Sequence, residues 1–290
     1  MREINIAEFQ KMITQRTFCD YRTRLSLLAR AVFEWEGLPN GIDTKHIERY
    51  LYEDGFCMFF HDEELGWMVT RCALSGGLNF NDEPTKITPV ATNYTPKEVK
   101  EYDPRKNCVL ICNNDDRVPT DDTILLYAAR LAEIQRTSDI NIIAQKTPVI
   151  ITGSEKQKLS LKTVMRQWMG NEPLIFGDKQ LDGIDLKTLN TAAPVVFDKL
   201  TIEKNKIWNE CMTFLGINNA NLDKRERLVD DEVQANNEQI EFSADVMLKA
   251  RQAAAEAISA LCNSKVTVTI RRPEKAEQEA QTGAEEGDGE

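Results

Sequence analysis

Histidine is nearly absent from this chain of 290 residues: His46 and His61 are its only two. Neither has a Ser or Cys beside it in a recognisable nucleophile setting, so general-base hydrolysis of the familiar kinds has no obvious residues to run on. A Cys-x-x-Cys pair is also missing among the seven cysteines (19, 57, 72, 108, 112, 211, 262), most of which have apolar neighbours, as in Phe56-Cys57-Met58 and Cys108-Val109-Leu110-Ile111-Cys112. This predicts reduced, buried thiols and synthesis inside a cell. No apolar run approaches the roughly 18 residues of a membrane span. Met1 is followed at once by charge, and no signal-type apolar region precedes a small-residue cleavage site, so a soluble, unexported protein without membrane contact is expected. Gly76-Gly77 is not followed by Gly-Lys-Ser/Thr, which excludes a phosphate loop, and no cofactor is expected.

Positive charge is in short supply as well. Lys and Arg number 36 against 47 Asp and Glu, a net charge of -11, which argues against a protein that simply clamps nucleic acid. The deficit is partly local: residues 272–290 hold two positive and seven acidic side chains, or -5, leaving -6 for the rest. That stretch is rich in Glu, Gln, Ala and Gly and has no large apolar residue to offset its ordering entropy, so a disordered acidic tail is expected. Over the whole chain, 41% hydrophobic residues supply a real core, enough for one elaborate domain or two small ones.

What is present begins with helical spacing at Phe9, Met12, Ile13, Leu25, Leu28, Val32 and Trp35, which predicts a long N-terminal helix ending before Gly37-Leu38-Pro39-Asn40-Gly41. Short β-type runs follow at 55–60, 66–70, 86–92 and 107–111, reading as a small sheet or barrel. Pro119-Thr120-Asp121-Asp122 is a helix start with acidic residues where the dipole favours them. The stripe Ile124, Leu125, Ala128, Leu131, Ile134 extends that helix to about Ala144, and Pro148 ends it. A compact insert over 149–194 contains the apolar run Val149-Ile150-Ile151-Thr152, a short helix near 159–168 and the run Pro173-Leu174-Ile175-Phe176. Pro194 opens another long helix, with Val196, Leu200, Ile207, Cys211, Phe214 and Leu215 apolar and Gly216 as its cap. Residues 217–242 are polar, with almost no apolar anchors, and read as a loop that is disordered or functional. Ser243 caps a last, alanine-rich helix, and Lys265 to Ile270 alternates as a strand does. Several helices are long for a chain of this size, which points to apolar faces covered by neighbouring subunits. Trp208 is read as one such packing residue.

The acidic clusters Asp115-Asp116, Asp121-Asp122 and Asp230-Asp231-Glu232 raise a metal-site reading, because hard cations use grouped carboxylates. Adjacent residues on a helix do not converge on one point, however, and no spaced partner is evident, so no metal is expected.

Ordered matches along most of the chain give the sequence a resemblance. They are Phe33-Glu34-Trp35-Glu36-Gly37-Leu38-Pro39, Ala73-Leu74-Ser75-Gly76, Asn113-Asn114-Asp115, Ala144 to Ile150, Ala193-Pro194, Asp198-Lys199-Leu200, Trp208-Asn209-Glu210, and Met212 through Ile217. They continue through Asn219-Ala220-Asn221-Leu222, Lys224 to Arg227, Asp231-Glu232-Val233 and Asn237 to Glu241. On these residues the chain resembles the head-tail connector, portal or upper collar, proteins of phi29-like podoviruses. The resemblance implies an α+β portal-protein fold: long stem helices (1–40, 119–148 and 195–216), a wing at 41–118 containing a small SH3-like β barrel, and a small mixed α/β clip at 149–194. It further implies a channel loop at 217–242 and a crown at 243–271, with 272–290 as the tail. By the same resemblance the protein is a non-enzymatic virion component at the portal vertex between capsid and tail. Copies would form a homo-oligomer, a dodecamer in the family, conducting double-stranded DNA during packaging and ejection. Its partners would be the packaging ATPase, the major capsid and scaffold proteins, and a lower collar or tail protein. One departure concerns packaging RNA. Relatives that grip it carry a markedly basic N-terminal arm, whereas residues 1–20 here offer Arg2, Lys11 and Arg16 against Glu3, Glu8 and Asp20, so packaging RNA remains an open partner.

Chemistry and resemblance together select the candidate residues. A conducting bore must hold DNA loosely, because each neutralised phosphate adds affinity that has to be undone at every step. Acidic walls keep the duplex centred, and a few basic positions touch phosphates in passing. The candidates are Lys224, Arg225 and Arg227 in the loop and Lys199, Lys204 and Lys206 on the helix before it, with Asn218, Asn219, Asn236, Asn237 and Gln239 as neutral loop contacts. The competing readings are a tail adaptor ring without a packaging role and a metal-dependent nuclease using the acidic clusters.

Overall fold

The structure is a computed structural model that describes residues 6–92, 94, 101–145, 149–152, 185–188, 194–218 and 230–271, with backbone alone at 6–10, 143–144, 149–152, 185–188 and 230–237. The chain divides into two compact units, one built from 1–132 with 204–290 and one from 133–203.

The first unit opens with helix α1 (Ile6–Ala29), which buries Tyr21 and Leu25. The N-terminal helix therefore stops short of Val32 and Trp35, both expected on it. Phe33–Glu36 forms strand β1 instead, burying Phe33 and Trp35 and exposing Glu34 and Glu36. A period of two overrides the helical spacing here because a partner is available from the far end of the chain: Thr267–Ile270 (the eighth strand, β8) pairs antiparallel with β1, Phe33 opposite Ile270 and Glu36 opposite Thr267. Gly37 takes φ 75°, and a Cβ there would sit 1.9 Å from the Lys265 carbonyl oxygen, so only glycine allows the two segments to approach this closely.

Helix α2 (Thr44–Asp54) follows. The Asp43 carboxylate accepts from the Lys45 N–H at 3.0 Å, and Gly55 ends the helix in the left-handed region, donating its N–H to the Leu51 carbonyl. The sheet then runs β2 (Phe56–Asp62), β3 (Gly66–Leu78), β4 (Pro84–Val90) and β5 (Cys108–Cys112), antiparallel in the order β4-β3-β2-β5. Among the described residues this is an open sheet, with no ladder joining β4 to β5. One face buries Met58, Phe60, Ile87, Tyr102 and Cys108. Residues from the intervening positions of β2, among them Cys57 and Phe59, are also fully buried, and α2 packs against β2 and β3.

Helix α3 (Asp121–Gln145) starts where the Pro-Thr-Asp-Asp motif places it, with Asp121 and Asp122 in its first turn. Helix α4 (Phe197–Leu215) buries Ile207, Cys211, Met212 and Leu215. Within the first unit the two helices run antiparallel, with Tyr127 beside Phe214 (6.4 Å between ring centroids) and Arg130 paired with Glu210 at 3.4 Å. Helix α5 (Asp230–Cys262) packs on β5 and β8.

The start of α5 corrects a sequence expectation. Residues 217–242 carry the pattern of one polar loop and Ser243 that of a helix cap, yet the helix begins at Asp230. Its buried stripe of Ile240, Ala244, Met247, Arg251, Ala254, Ala255 and Ile258 extends a turn ahead of Ser243, and the Ala, Gln and Glu residues around it are sound helix formers. The sequence signal was diluted because the stripe is mostly alanine and contains a charge.

In the second unit β6 (Val149–Thr152) pairs antiparallel with β7 (Asp185–Thr188). The Asn141 amide donates to the Pro194 carbonyl at 2.9 Å and accepts from the Val196 N–H, fixing the entry to α4. Pro194 therefore precedes α4 instead of occupying its first turn. The short helix expected near 159–168, the run at 173–176 and the 272–290 tail lie outside the described residues.

The expectation of buried thiols holds for three of the seven cysteines, while Cys72, Cys112 and Cys262 are half-buried. Cys57, Cys108 and Cys211 are buried and unpaired, and burial pushes the thiols of Cys72, Cys108 and Cys211 up to about 12 and that of Cys112 up to about 11. Cys19 alone is exposed.

Candidate functional site

Three of the proposed contact residues are on α4: Lys199 in its first turn, and Lys204 and Lys206 near its middle. On α4, Lys199 and Lys206 are both exposed and lie seven residues apart, so they share one face, two turns of helix from each other. Neither makes an ion pair among the described residues. Lys204 differs: it is half-buried, engaged in an interaction of its own, and sits on the side of Ile207 and Cys211, the face α4 turns to the core.

Helix α4 closes on Gly216 at φ 73°, whose N–H donates to the Thr213 carbonyl at 3.0 Å while the Ile217 N–H donates to that of Met212 at 2.9 Å. This pair of bonds satisfies the last carbonyls of the helix and turns the chain sharply away. A Cβ on Gly216 would lie 2.3 Å from the Cβ of Ala244, so the end of α4 rests directly against α5. The two ends of the connection between α4 and α5, at Gly216 and Ala244, are therefore held at one point. The last part of that connection is the start of α5, which begins at Asp230. Asn218 is exposed at the start of the connection and Gln239 is exposed on α5. Asn236 and Asn237 are on the α5 backbone, with their side chains outside the described residues, as are Asn219, Lys224, Arg225 and Arg227 altogether.

Of the acidic clusters, Asp121 is engaged structurally. The Asp121 carboxylate accepts from Arg22 Nη2 at 2.9 Å and from the Tyr52 hydroxyl at 2.7 Å, tying α1, α2 and α3 together. Burial, reinforced by this bond, pushes the Tyr52 hydroxyl upward, so it remains a donor. Among the described residues no three His, Cys, Asp or Glu side chains are grouped to hold a metal ion.

Residues 2–274 match the family described as Phage Connector (GP10). The chain belongs to the phage connector family. Its fold is similar to that of a chain in the portal and tail of native bacteriophage P68, at a TM-score of 0.55 and 16% identity over 97% of this chain and 96% of that one. More distant similarities include an HK97-family phage portal protein from Corynebacterium diphtheriae (TM-score 0.43, 11% identity, covering 87% and 91%) and the neck of a native gene transfer agent particle (TM-score 0.44, 11% identity, covering 91% and 82%). The α+β portal-type fold expected from sequence is thus observed.

Within this connector α5 is held by a buried arginine that local periodicity does not mark. Arg251, 2% exposed, points into the core from the middle of α5. Its Nε and Nη2 donate to the two oxygens of Glu48, itself 3% exposed, at 3.0 and 2.8 Å. Nη1 donates to the carbonyls of Asn113 and Met247 and Nη2 to the Asn113 side-chain oxygen, each at 3.0 Å, and the guanidinium lies 4.1 Å over the Phe33 ring. Trp35 Nε1 adds a donor to Glu48 at 2.8 Å. One side chain thereby joins α5 to α2, β1 and the turn before α3. The available clue was an arginine seven residues from both Ala244 and Ile258, inside a stripe that is otherwise apolar.

Proposed function

We propose that copies of this connector close into a ring, a dodecamer as in the resembling podoviral proteins, whose bore conducts double-stranded DNA at the capsid vertex and joins head to tail. The observation that carries the reading is the pair Lys199 and Lys206, exposed on one face of α4 and without an ion pair among the described residues. In a cyclic assembly each becomes a ring of charge, and Lys224, Arg225 and Arg227 add further rings from the segment between α4 and α5. Against a chain of net charge -11 these cations are sparse, as a bore that must release phosphates at every step requires. Exposed apolar side chains on several helices, including Leu126 at 67% and Phe242 at 73%, supply surface for contacts between copies.

The protein acts as a structural conduit without catalysis of its own, and the work of packaging comes from a separate ATPase docked on residues 149–194. The capsid and scaffold proteins surround it, and a lower collar or tail protein attaches to it. The candidate contacts are Lys199, Lys204 and Lys206 together with the loop residues, Lys204 being the half-buried one with an interaction of its own.

Replacing Lys224, Arg225 and Arg227 together by Ala tests the reading. Rings should assemble normally, while particles lose packaged genome, measured as the fraction of full heads and the length of DNA recovered. Full retention of genome-length DNA would refute a phosphate-contacting role for this segment.

A further inference from the structure

The charge of this chain is distributed unevenly over its helices. Helix α1 carries Lys11, Arg16, Arg22 and Arg24 against Glu8 and Asp20, a net of +2, and it is the one net-positive helix among α1 to α5. Helix α5 is the most acidic, with Lys249 and Arg251 against seven Asp and Glu, a net of -5. Each also exposes apolar side chains that its own copy leaves uncovered. On α1 these are Leu27 at 57% and Leu28 at 37%; on α5 they are Phe242 at 73% and Val246 at 51%.

On α1 the charges and the apolar groups share a face: Arg16 and Leu27 are eleven residues apart, three turns of helix, and Arg24, which also pairs with Asp20 of its own copy, is three and four residues from Leu27 and Leu28. On α5 Phe242 and Val246 are four apart, exposed Glu238 lies on their face four residues before Phe242, and exposed Glu241 flanks that face at its rim. Cys19, exposed, lies between Arg16 and Leu27 on α1. Two different surfaces of one chain therefore present apolar anchors framed by opposite charge. A contact between unlike surfaces is directional: repeated with a fixed rotation it closes a ring, whereas a self-complementary patch stops at a dimer.

We infer that the outward face of α5 in one copy docks on the outward face of α1 in the next, Phe242 and Val246 meeting Leu27 and Leu28 while Glu238 and Glu241 meet Arg16 and Arg24. This rests on the ring reading and deepens it by assigning its subunit contact. The apolar pair supplies the affinity and the charges set register and partner choice.

The exposed Cys19 makes the contact directly testable in the full-length protein. A Glu241→Cys variant, treated with a short bis-maleimide, should give a ladder of covalent oligomers that disappears when Cys19→Ser is added. Independently, Arg16→Glu with Arg24→Glu should raise the concentration for half-assembly by about tenfold or more, and adding Glu238→Lys with Glu241→Lys should restore most of it, read by native mass spectrometry. Circular dichroism on each variant separates lost assembly from lost folding. Rings that form in the unmodified chain while the cross-link and the charge swap both fail would overturn this contact and leave the ring intact. A cross-link to Glu241→Cys that appears only after another virion protein is added would give the face to that protein instead. A chain that never assembles removes the ring and the contact together.

Discussion

Replacing Arg251 by methionine should destabilise the first unit by about 3–5 kcal/mol, the usual cost of leaving one partner of a buried ion pair behind. The loss is large because Glu48 is 3% exposed and would keep only the Trp35 N–H, while the Asn113 carbonyl and side-chain oxygen and the Met247 carbonyl lose a donor at once. Thermal unfolding followed by circular dichroism should show a midpoint lower by about 10 °C. Adding Glu48→Leu should recover part of this, since removing both charges spares the uncompensated carboxylate. Recovery should stay incomplete because the Trp35 and Asn113 groups remain unpaired. An Arg251→Met variant as stable as the parent would mean that the α5 anchor is apolar packing alone.

A second large loss is expected from Gly55→Ala, for two additive reasons. Gly55 holds φ 84°, a region costing an L residue about 1–2 kcal/mol. Its new Cβ would also lie 2.1 Å from the Arg117 carbonyl oxygen and 2.9 Å from the Pro119 nitrogen, both backbone atoms that cannot swing aside. Moving that turn would pull on Asn113, whose N–H donates to the Gly55 carbonyl at 2.8 Å and whose side chain receives Arg251. Gly66→Ala is the matched control: φ is 76° there, but a Cβ meets nothing within 4 Å, so only the conformational cost should appear. Equal midpoints for the two variants would contradict the steric argument.

These two sites also show what was legible beforehand. The strands β2, β4 and β5 are legible because each is a short apolar run bounded by turn residues, and α3 because a capping motif precedes a long apolar stripe; of β3 only 66–70 is legible, since its continuation to Leu78 passes through Arg71, Ser75, Gly76 and Gly77, which carry no strand signal. Helix α2 went unread. Its sequence, Thr44 to Asp54, is half charged, and its core side rests on Ile47, Leu51 and Tyr52 together with Glu48, a residue that reads as surface until its partner is known. That partner, Arg251, is some two hundred residues away, and so is the strand that turns Phe33–Glu36 from helix to β1. Pairings of this kind are set by tertiary structure, and local periodicity carries no trace of them. The candidate site was half legible. Lys199 and Lys206 could be nominated from charge and the family resemblance, but the separation of Lys204 from them, and the pinning of Gly216 against Ala244, needed the packing.

The central claim is that this connector chain, unaided, builds a closed channel. Negative-stain or cryo-electron microscopy of the purified full-length protein, with rotational symmetry left free, tests it most directly. Rings with one dominant symmetry and a stain-filled central hole wide enough for a duplex, about 20 Å or more, are expected. Single subunits, or open filaments at every protein concentration tried, would contradict it.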